Sequence, residues 1–472
     1  MPVNVVNNVH FNPSAVVPAI VGASSDGAYF IDQQGSPRLF VCEDNWSMLC
    51  DGGAPGTYTT IWNSYFTNRK AQGYTAVEVS WCSYPNAQAA MTFNTGQDWD
   101  GAYPFATTMD PTTAANSTFW ARRDLFFSTA ASFGFTVVMN ITTPSLDMSP
   151  TPAAQKTWST AQWQAFGTFI GNRYKTTPNI LWIFGDDYFG GIDSNLSAFL
   201  TNLRAAGDTH LVSIQNFQEA TSRQDISSLT KDPLAFDVHA QYEWGYSYNV
   251  SYDVVEKAQL YTPTVSDDVQ GPVPPVWGDG FYIASGVDSG QTDVRLERQM
   301  IWWALSSGAC GFSTGDNDIW IGGATWPNAV TSKTFYTAVM PAITTAFANL
   351  PNWWKLAPDT SSALVTAGRG THASAIASGG GGTPYTANTD AYVTASRTPD
   401  TGSGSSLAVV YCAKAMNITI DQTKMASGYT VTWIDPVSGA TSAGTPGSTY
   451  NSATAKGNNS AGDPDWVLVL KA

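Results

Sequence analysis

The sequence predicts an α/β fold class: a (β/α)8 TIM barrel followed by a small all-β sandwich domain. Two patterns carry that reading. Between residues 36 and 350, eight short apolar runs alternate with segments whose apolar residues recur at helical spacing. Beyond residue 350 the runs become short period-two strands between Gly, Ser, Thr and Pro loops. No Gly-x-Gly-x-x-Gly follows any run, so a dinucleotide-binding open sheet is the weaker reading.

Residues 1–35 read as a polar, Asn- and Pro-bearing arm and the start of the barrel. The first strand is "RLFVCEDNW" (38–46). A helix with Trp62, Tyr65, Phe66 and Arg69 on one stripe leads to the second, "TAVEVSWC" (75–82). The third, "FTVVMNI" (135–141), follows "FWARRDLFFSTAASFG", which stops at a glycine as helices often do. The fourth, "NILWIFGDD" (179–187), follows a stripe of Trp163, Phe166, Phe169, Ile170 and Tyr174. Leu196, Phe199, Leu200 and Leu203 precede the fifth, "LVSIQNF" (211–217). "FDVHAQYEW" (236–244), "PVWGDGFY" (275–282) and "GFSTGDNDIW" (311–320) complete the eight. "NLPNWWKLAPD" (349–359) joins the barrel, 36–350, to the sandwich, 351–472, where "ASGGGGTPYTAN" (377–388) is a loop. Trp353, Trp354 and Trp433 are expected near that junction rather than at a second sugar site.

Composition narrows the partners. The chain has 18 Trp, 20 Tyr and 22 Phe, which serve a core and also suit a sugar-binding protein, since sugar C–H faces stack on rings. Its 22 basic and 37 acidic residues give a net charge of −15, with no basic cluster, so nucleic acid is not an expected partner. Four scattered histidines set aside a histidine-rich metal site, and no cofactor is expected. The "GDND" of 315–318 lacks the ligand alternation of a calcium loop. Five cysteines show no Cys-x-x-Cys pair and read as buried thiols, with a Cys42–Cys50 or Cys42–Cys82 bridge as the alternative. No run of about 18 apolar residues is present, so no membrane span is expected. The first residues lack the basic segment of a signal peptide. An extracellular or virion-associated location is expected, with the N-terminal arm as an attachment to a larger assembly.

A TIM barrel does its chemistry at the C-terminal ends of its strands. Those ends are rich in acids and amides here. Glu43, Asp44, Asn45 and Trp46 end the first strand; Asp186, Asp187 and Tyr188 end the fourth. Gln215 lies on the fifth, Gln241 and Glu243 on the sixth, Asp279 and Tyr282 on the seventh, and Asp316 on the eighth. Cleaving a glycosidic bond takes two carboxyls, one holding a proton, and burial beside a second carboxylate raises a pKa enough to hold it. Single strand-end aspartates more often cap turns. Glu43 reads equally as a hydroxyl-binding group or as the buried partner of a tyrosine or amide.

The chain resembles the apiosidase-like glycoside hydrolases, a family-140-like TIM barrel followed by a collagen-binding-like β-sandwich. "YFIDQQGSPRLFVCEDNWSML" is similar to the family's opening, "RKAQGYTAVEVSW" to its second helix–strand passage, and "NRYKTTPNILWIFGDDY" to its fourth. "DVRLERQMIWWALSSGACGFSTGDNDIW", "WWKLAPD", "YTVTWIDPVSGA" and "DWVLVL" resemble its later segments. The resemblance implies Asp187 as acid/base and Asp279 as nucleophile. Asp186 stands where the family has Gly, Asp279 where it has Glu, and Glu43 where it has Asp. It also implies a retaining glycosidase acting on an apiosyl or arabinofuranosyl bond of a plant or microbial cell-wall polysaccharide.

Trp46, Trp81, Tyr188 and Tyr282 are the expected stacking residues. Glu43, Gln215 and Gln241 are the expected hydroxyl ligands. Asp186 is expected beside Asp187, and Glu243 is the reserve carboxylate. The other reading is a carbohydrate-binding or phage tail-associated protein that keeps the barrel with little or no turnover.

Overall fold

The computed structural model of the chain describes residues 17–25, 28–49, 57–82, 98, 100–106, 108–142, 154–188, 193–216, 237–242, 275–283, 294–316, 319, 331, 333–359, 361–370 and 392–472. Residues 1–16 of the arm, Cys50, Glu243 and the 377–388 loop lie outside them.

Every predicted barrel run forms a strand. They are β1 (Phe40–Asp44), β2 (Ala76–Ser80), β3 (Thr136–Asn140), β4 (Ile180–Tyr188), β5 (Leu211–Asn216), β6 (His239–Tyr242), β7 (Val276–Ile283) and β8 (Gly311–Asp316). All pair in parallel, in the order 5-4-3-2-1-8-7-6. The free ends of that order meet. Asp237 and Val238 N–H donate to Val212 O, and Ser213 Oγ donates to Val238 O at 3.1 Å and accepts from Ala240 N at 3.2 Å. The sheet thus closes into a barrel.

A parallel barrel buries both faces of each strand, so its strands carry apolar residues at nearly every position. Phe40, Cys42, Ala76, Val138, Ile183 and Trp277 fill the interior. Val41, Val77, Val79, Val137 and Met139 face the helices. Gly311 of β8 lies so close to Phe40 O that a Cβ would collide with it. A hairpin, Ile20–Ala23 with Phe30–Asp32, plugs the N-terminal end, where Phe30 stacks on Phe40 at 5.2 Å.

The described helices of the barrel are α1 (Tyr58–Ala71), α2 (Ser117–Phe133), α3 (Thr160–Tyr174), α4 (Asp193–Ala205), α5 (Val294–Ser306) and α6 (Met340–Ala348). The predicted stripe Trp62, Tyr65, Phe66, Arg69 is the buried face of α1. Asn116 caps α2 and Gly134 ends it at φ 83°. Ser159 and Gln162 form a capping box on α3. None of the described helices is long and apolar enough to cross a membrane.

The C-terminal region stacks a six-stranded antiparallel sheet on a three-stranded one. Strand Leu407–Cys412 shows how it joins the barrel. Ala408, Val410 and Cys412 face the sandwich interior, whereas Leu407, Val409 and Tyr411 pack in the cluster of the barrel helices. Polar contacts lock the same seam. Arg298 of α5 pairs with buried Asp465 at 2.8 Å and Asp463 at 2.9 Å, and Tyr411 OH donates to Asp465 at 2.9 Å. Trp302 and Trp303 Nε1 donate to Pro436 O and Tyr392 O, each at 3.3 Å. Trp353 and Trp354 sit at this junction, but Trp433 does not: it packs inside the sandwich, edge-on to Tyr450. Cys42 and Cys82 are buried and are not bridged to each other, and the Cys42–Cys50 alternative involves a residue outside those described.

Removing one partner of a buried ion pair leaves a charge uncompensated, at about 3–5 kcal/mol. Arg298→Ala should therefore lose stability on that scale in urea denaturation, with barrel and sandwich unfolding in one transition. Two separated transitions in the wild type would contradict the shared core.

Candidate active site

Parallel pairing puts the C-terminal ends of all eight strands at one mouth. Asp187 is the eighth of nine residues in β4, and Asp279 is the fourth of eight in β7, in register with Tyr242 at the end of β6. Both lie where a ladder is interrupted. On β4, Gly185 pairs with Gln215 and Tyr188 pairs with the very next residue, Asn216, so Asp186 and Asp187 are extra residues without a partner on β5. On β7, Gly278 pairs with Phe312 and Phe281 with Thr314, so Asp279 and Gly280 stand opposite Ser313 alone. Such bulges break a ladder, turn the strand and are enriched beside active sites. The "GDDY" that ends an apolar run is thus a bulge at the barrel mouth. Tyr282 follows in β7 as the partner of Gly315. On β6, Gln241 pairs with Gly278, and Tyr242, absent from the sequence-based set, pairs with Asp279.

Glu43 is not where the hydroxyl-binding expectation put it. Cys42 belongs to the interior cluster, so the next residue faces outward. There, fully buried, Glu43 is held by the Arg69 guanidinium, with Nε donating at 2.7 Å, and by Tyr65 OH at 2.7 Å. It is the buried partner of a tyrosine and an arginine behind the barrel wall. Burial pushes the Glu43 carboxyl above the usual carboxylate range, against the pull of Arg69 and Tyr65. Burial disfavours the Arg69 cation too, yet Glu43 and the tyrosines Tyr74, Tyr65 and Tyr336 raise its pKa. The Tyr336 ring lies 4.1 Å beneath it.

The same outer layer holds Asp316, bound by Lys333 and by Tyr336 OH at 3.2 Å. Asn317 and Asp318 lie outside the described residues. Glu297 of α5 is also buried here, and neither of its oxygens has a hydrogen bond among the described residues. Desolvation, then the Asp316 charge, pushes its carboxyl well above the ordinary range despite Lys333.

Trp81 is corrected as well. It packs flat on Trp120 at 5.7 Å and against Phe166 at 4.8 Å, inside the layer between strands and helices, so it offers sugar no face. Arg123 donates to its carbonyl at 3.0 Å and pairs with Asp98, and residues 83–97 lie outside the described residues. Trp46, just after β1, is buried. Gln215 is buried at the end of β5.

The inner face of the mouth carries Asp44, named above only as a strand end, and three residues outside the sequence-based set. Asp44, Glu78, Ser80 and Asn140 are all buried at the ends of β1, β2 and β3. One signal was available: Glu78 is a single carboxylate between two valines in an otherwise apolar strand, and lone buried carboxylates mark functional sites.

A closed barrel whose C-terminal rim gathers carboxylates and amides has the layout of a glycoside hydrolase. Residues 24–354 match the family described as apiosidase-like, catalytic domain, and residues 384–471 match a collagen-binding domain of a collagenase. The chain belongs to the apiosidase-like family, and its barrel is a glycosidase catalytic domain. Two solved structures are similar over nearly the whole length. One, a family 5 glycoside hydrolase from Bacteroides vulgatus, has a TM-score of 0.70 at 18% identity over 96% of this chain and 93% of its own. Another, a glycoside hydrolase, has a TM-score of 0.71 at 17% identity over 96% of this chain and 97% of its own. At that identity the likeness speaks for the fold. No curated protein matches the chain in sequence.

Two outcomes check the outer layer. Glu43→Gln should cost about 3–5 kcal/mol of stability by leaving Arg69 unpaired, while kcat per folded molecule stays unchanged. A selective loss of kcat would return Glu43 to the site. Glu297 has a folded-state pKa above its ordinary value of 4.5, so its stabilisation is full below that value and is lost as pH rises through the folded pKa. Glu297→Gln should therefore gain stability over the wild type at pH 8 compared with pH 5 in urea titrations; an equal difference at both pH values would contradict the shift.

Proposed function

We propose that the enzyme cleaves an apiosyl or arabinofuranosyl bond in a plant or microbial cell-wall polysaccharide, outside the cell or on a virion, with retention of configuration. The observation that supports this most is that Asp187 and Asp279 each stand in a bulge of a parallel barrel strand. In the first step Asp279 attacks the anomeric carbon and Asp187 gives its proton to the departing oxygen, leaving a glycosyl ester on Asp279. In the second, Asp187 takes a proton from water, which attacks the same carbon and frees Asp279. Retention calls for carboxyls about 5–5.5 Å apart, and an Asp nucleophile is one methylene shorter than the family's Glu, so its backbone must stand closer to the sugar. The bulge of β7 is a way to bring it there. Asp186 orients Asp187 or meets a sugar hydroxyl. Tyr188, Tyr282 and Trp46 are stacking candidates, Gln215 and Gln241 hydroxyl ligands, and Glu243 the reserve carboxylate.

The changed residues at 186 and 279 favour a second reading, a carbohydrate-binding chain, carried by a phage tail through its N-terminal arm, with little turnover. Kinetics on aryl apiosides, aryl arabinofuranosides and cell-wall polysaccharides separate the two. Asp187→Asn should lower kcat by roughly 10²–10⁴-fold, most for poor leaving groups, with KM little changed. Asp186→Asn should cost much less. Unchanged rates in Asp187→Asn would remove it as the acid, and no turnover by the wild type would favour the binding protein.

A further inference from the structure

We propose that the inner ends of β1, β2 and β3 form a sugar subsite in which Asp44, Glu78, Ser80 and Asn140 hold a neutral sugar by adjacent hydroxyls and reject a uronate. The inference rests on the glycosidase reading and deepens it to a substrate class. Cys42, Ala76 and Val138 lie in the interior cluster. Two residues further along each strand, on the same face, stand Asp44, Glu78 and Asn140, and Ser80 follows Glu78 by two more. The alternate positions Val41, Val77, Val79 and Met139 belong to the outer layer, which fixes the alternation independently. Asp44 is the register partner of Glu78, and Ser80 that of Asn140. Neighbouring strands lie about 4.8 Å apart, so the four residues make two adjoining rungs that face the barrel axis at its mouth.

Two of these residues carry donors with nothing to bind. Asn140 Oδ1 accepts from Thr142 N at 3.0 Å and Thr142 Oγ1 at 2.7 Å, which turns its amide nitrogen away from that loop. That Nδ2 and Ser80 Oγ have no hydrogen-bond partner among the described residues, although Asn140 is 1% exposed and Ser80 0%. Buried polar groups are nearly always paired, and an unpaired one is costly. A ligand that brings hydroxyls supplies the missing partners. Ionised carboxylates only accept, so Asp44 and Glu78 accept hydrogen bonds from sugar hydroxyls, Asn140 Nδ2 donates to a sugar oxygen, and Ser80 does either. Two carboxylates on one buried rung repel a third, which excludes a uronate.

The test is calorimetric titration of the full chain with neutral arabinofuranosyl and apiosyl oligosaccharides and, as the acidic arm, galacturonosyl oligosaccharides, with hydrolysis followed separately. Neutral sugars should bind and acidic ones should not. Asp44→Asn and Glu78→Gln should weaken neutral binding roughly 10–100-fold, and Ser80→Ala roughly 2–10-fold, with unchanged circular dichroism. If a carboxylate variant fails to fold, Ser80→Ala and Asn140→Ala decide. Wild-type affinity in every folded variant overturns the subsite while leaving a hydrolysing enzyme intact. Loss of binding in the variants of a wild type that binds but does not hydrolyse keeps the subsite and overturns the hydrolase. Preference for the acidic arm, or binding of neither, overturns the subsite.

Discussion

Parallel pairing of eight strands in one closed register governs what this barrel can present. Each strand is covered on both faces, and successive residues face opposite environments. At the end of β1 the constraint separates two neighbouring carboxylates. Asp44 shares a rung with Glu78 on the inner face, while Glu43 is turned outward into the layer of α1. A charge sent into that layer needs a partner, because an unpaired buried ion costs several kcal/mol. Arg69 and Tyr65 supply it, and both come from the buried stripe of α1. The wall is therefore polar on both sides at β1, with separate duties: ion pairing behind it and hydroxyl chemistry in front.

The second dependence runs through α5. This helix follows β7, the strand of Asp279, and its buried side presses on the sandwich through Arg298, Trp302 and Trp303. The six-stranded sheet is buried on both faces because one of them belongs to the barrel core. A domain attached in this way braces the helix that follows β7, and α5 is held by groups 89 to 167 residues later in the chain. Glu297 sits one residue before Arg298 on the same helix, buried among the charges of the outer layer. The brace and the polar layer thus meet on one helix.

The strand–helix alternation was legible because α1, α3 and α4 bury the stripes that their spacing shows. Facing was not. In a strand such as "LFVCED" every position is buried, so apolar residues do not alternate and nothing in the sequence tells Glu43 from Asp44; a slip of one residue reverses the face. Trp81 follows a strand end and reads as a sugar platform, yet Trp120 and Phe166 already cover it. Trp433 was misplaced for the same reason, since the sandwich has its own core. The bulges were half visible: Gly185 and Gly280 announce a bend, but which residues lose their partners depends on β5 and β8.

As the proposed nucleophile, Asp279 should become the covalent partner of the sugar. Incubating the wild-type chain with an activated 2-deoxy-2-fluoro arabinofuranoside and mapping the labelled peptide by mass spectrometry tests it directly. One added glycosyl group is expected, carried by the peptide containing Asp279 and absent in Asp279→Asn. A label on Glu243, or retention of configuration with no label on Asp279, would contradict it.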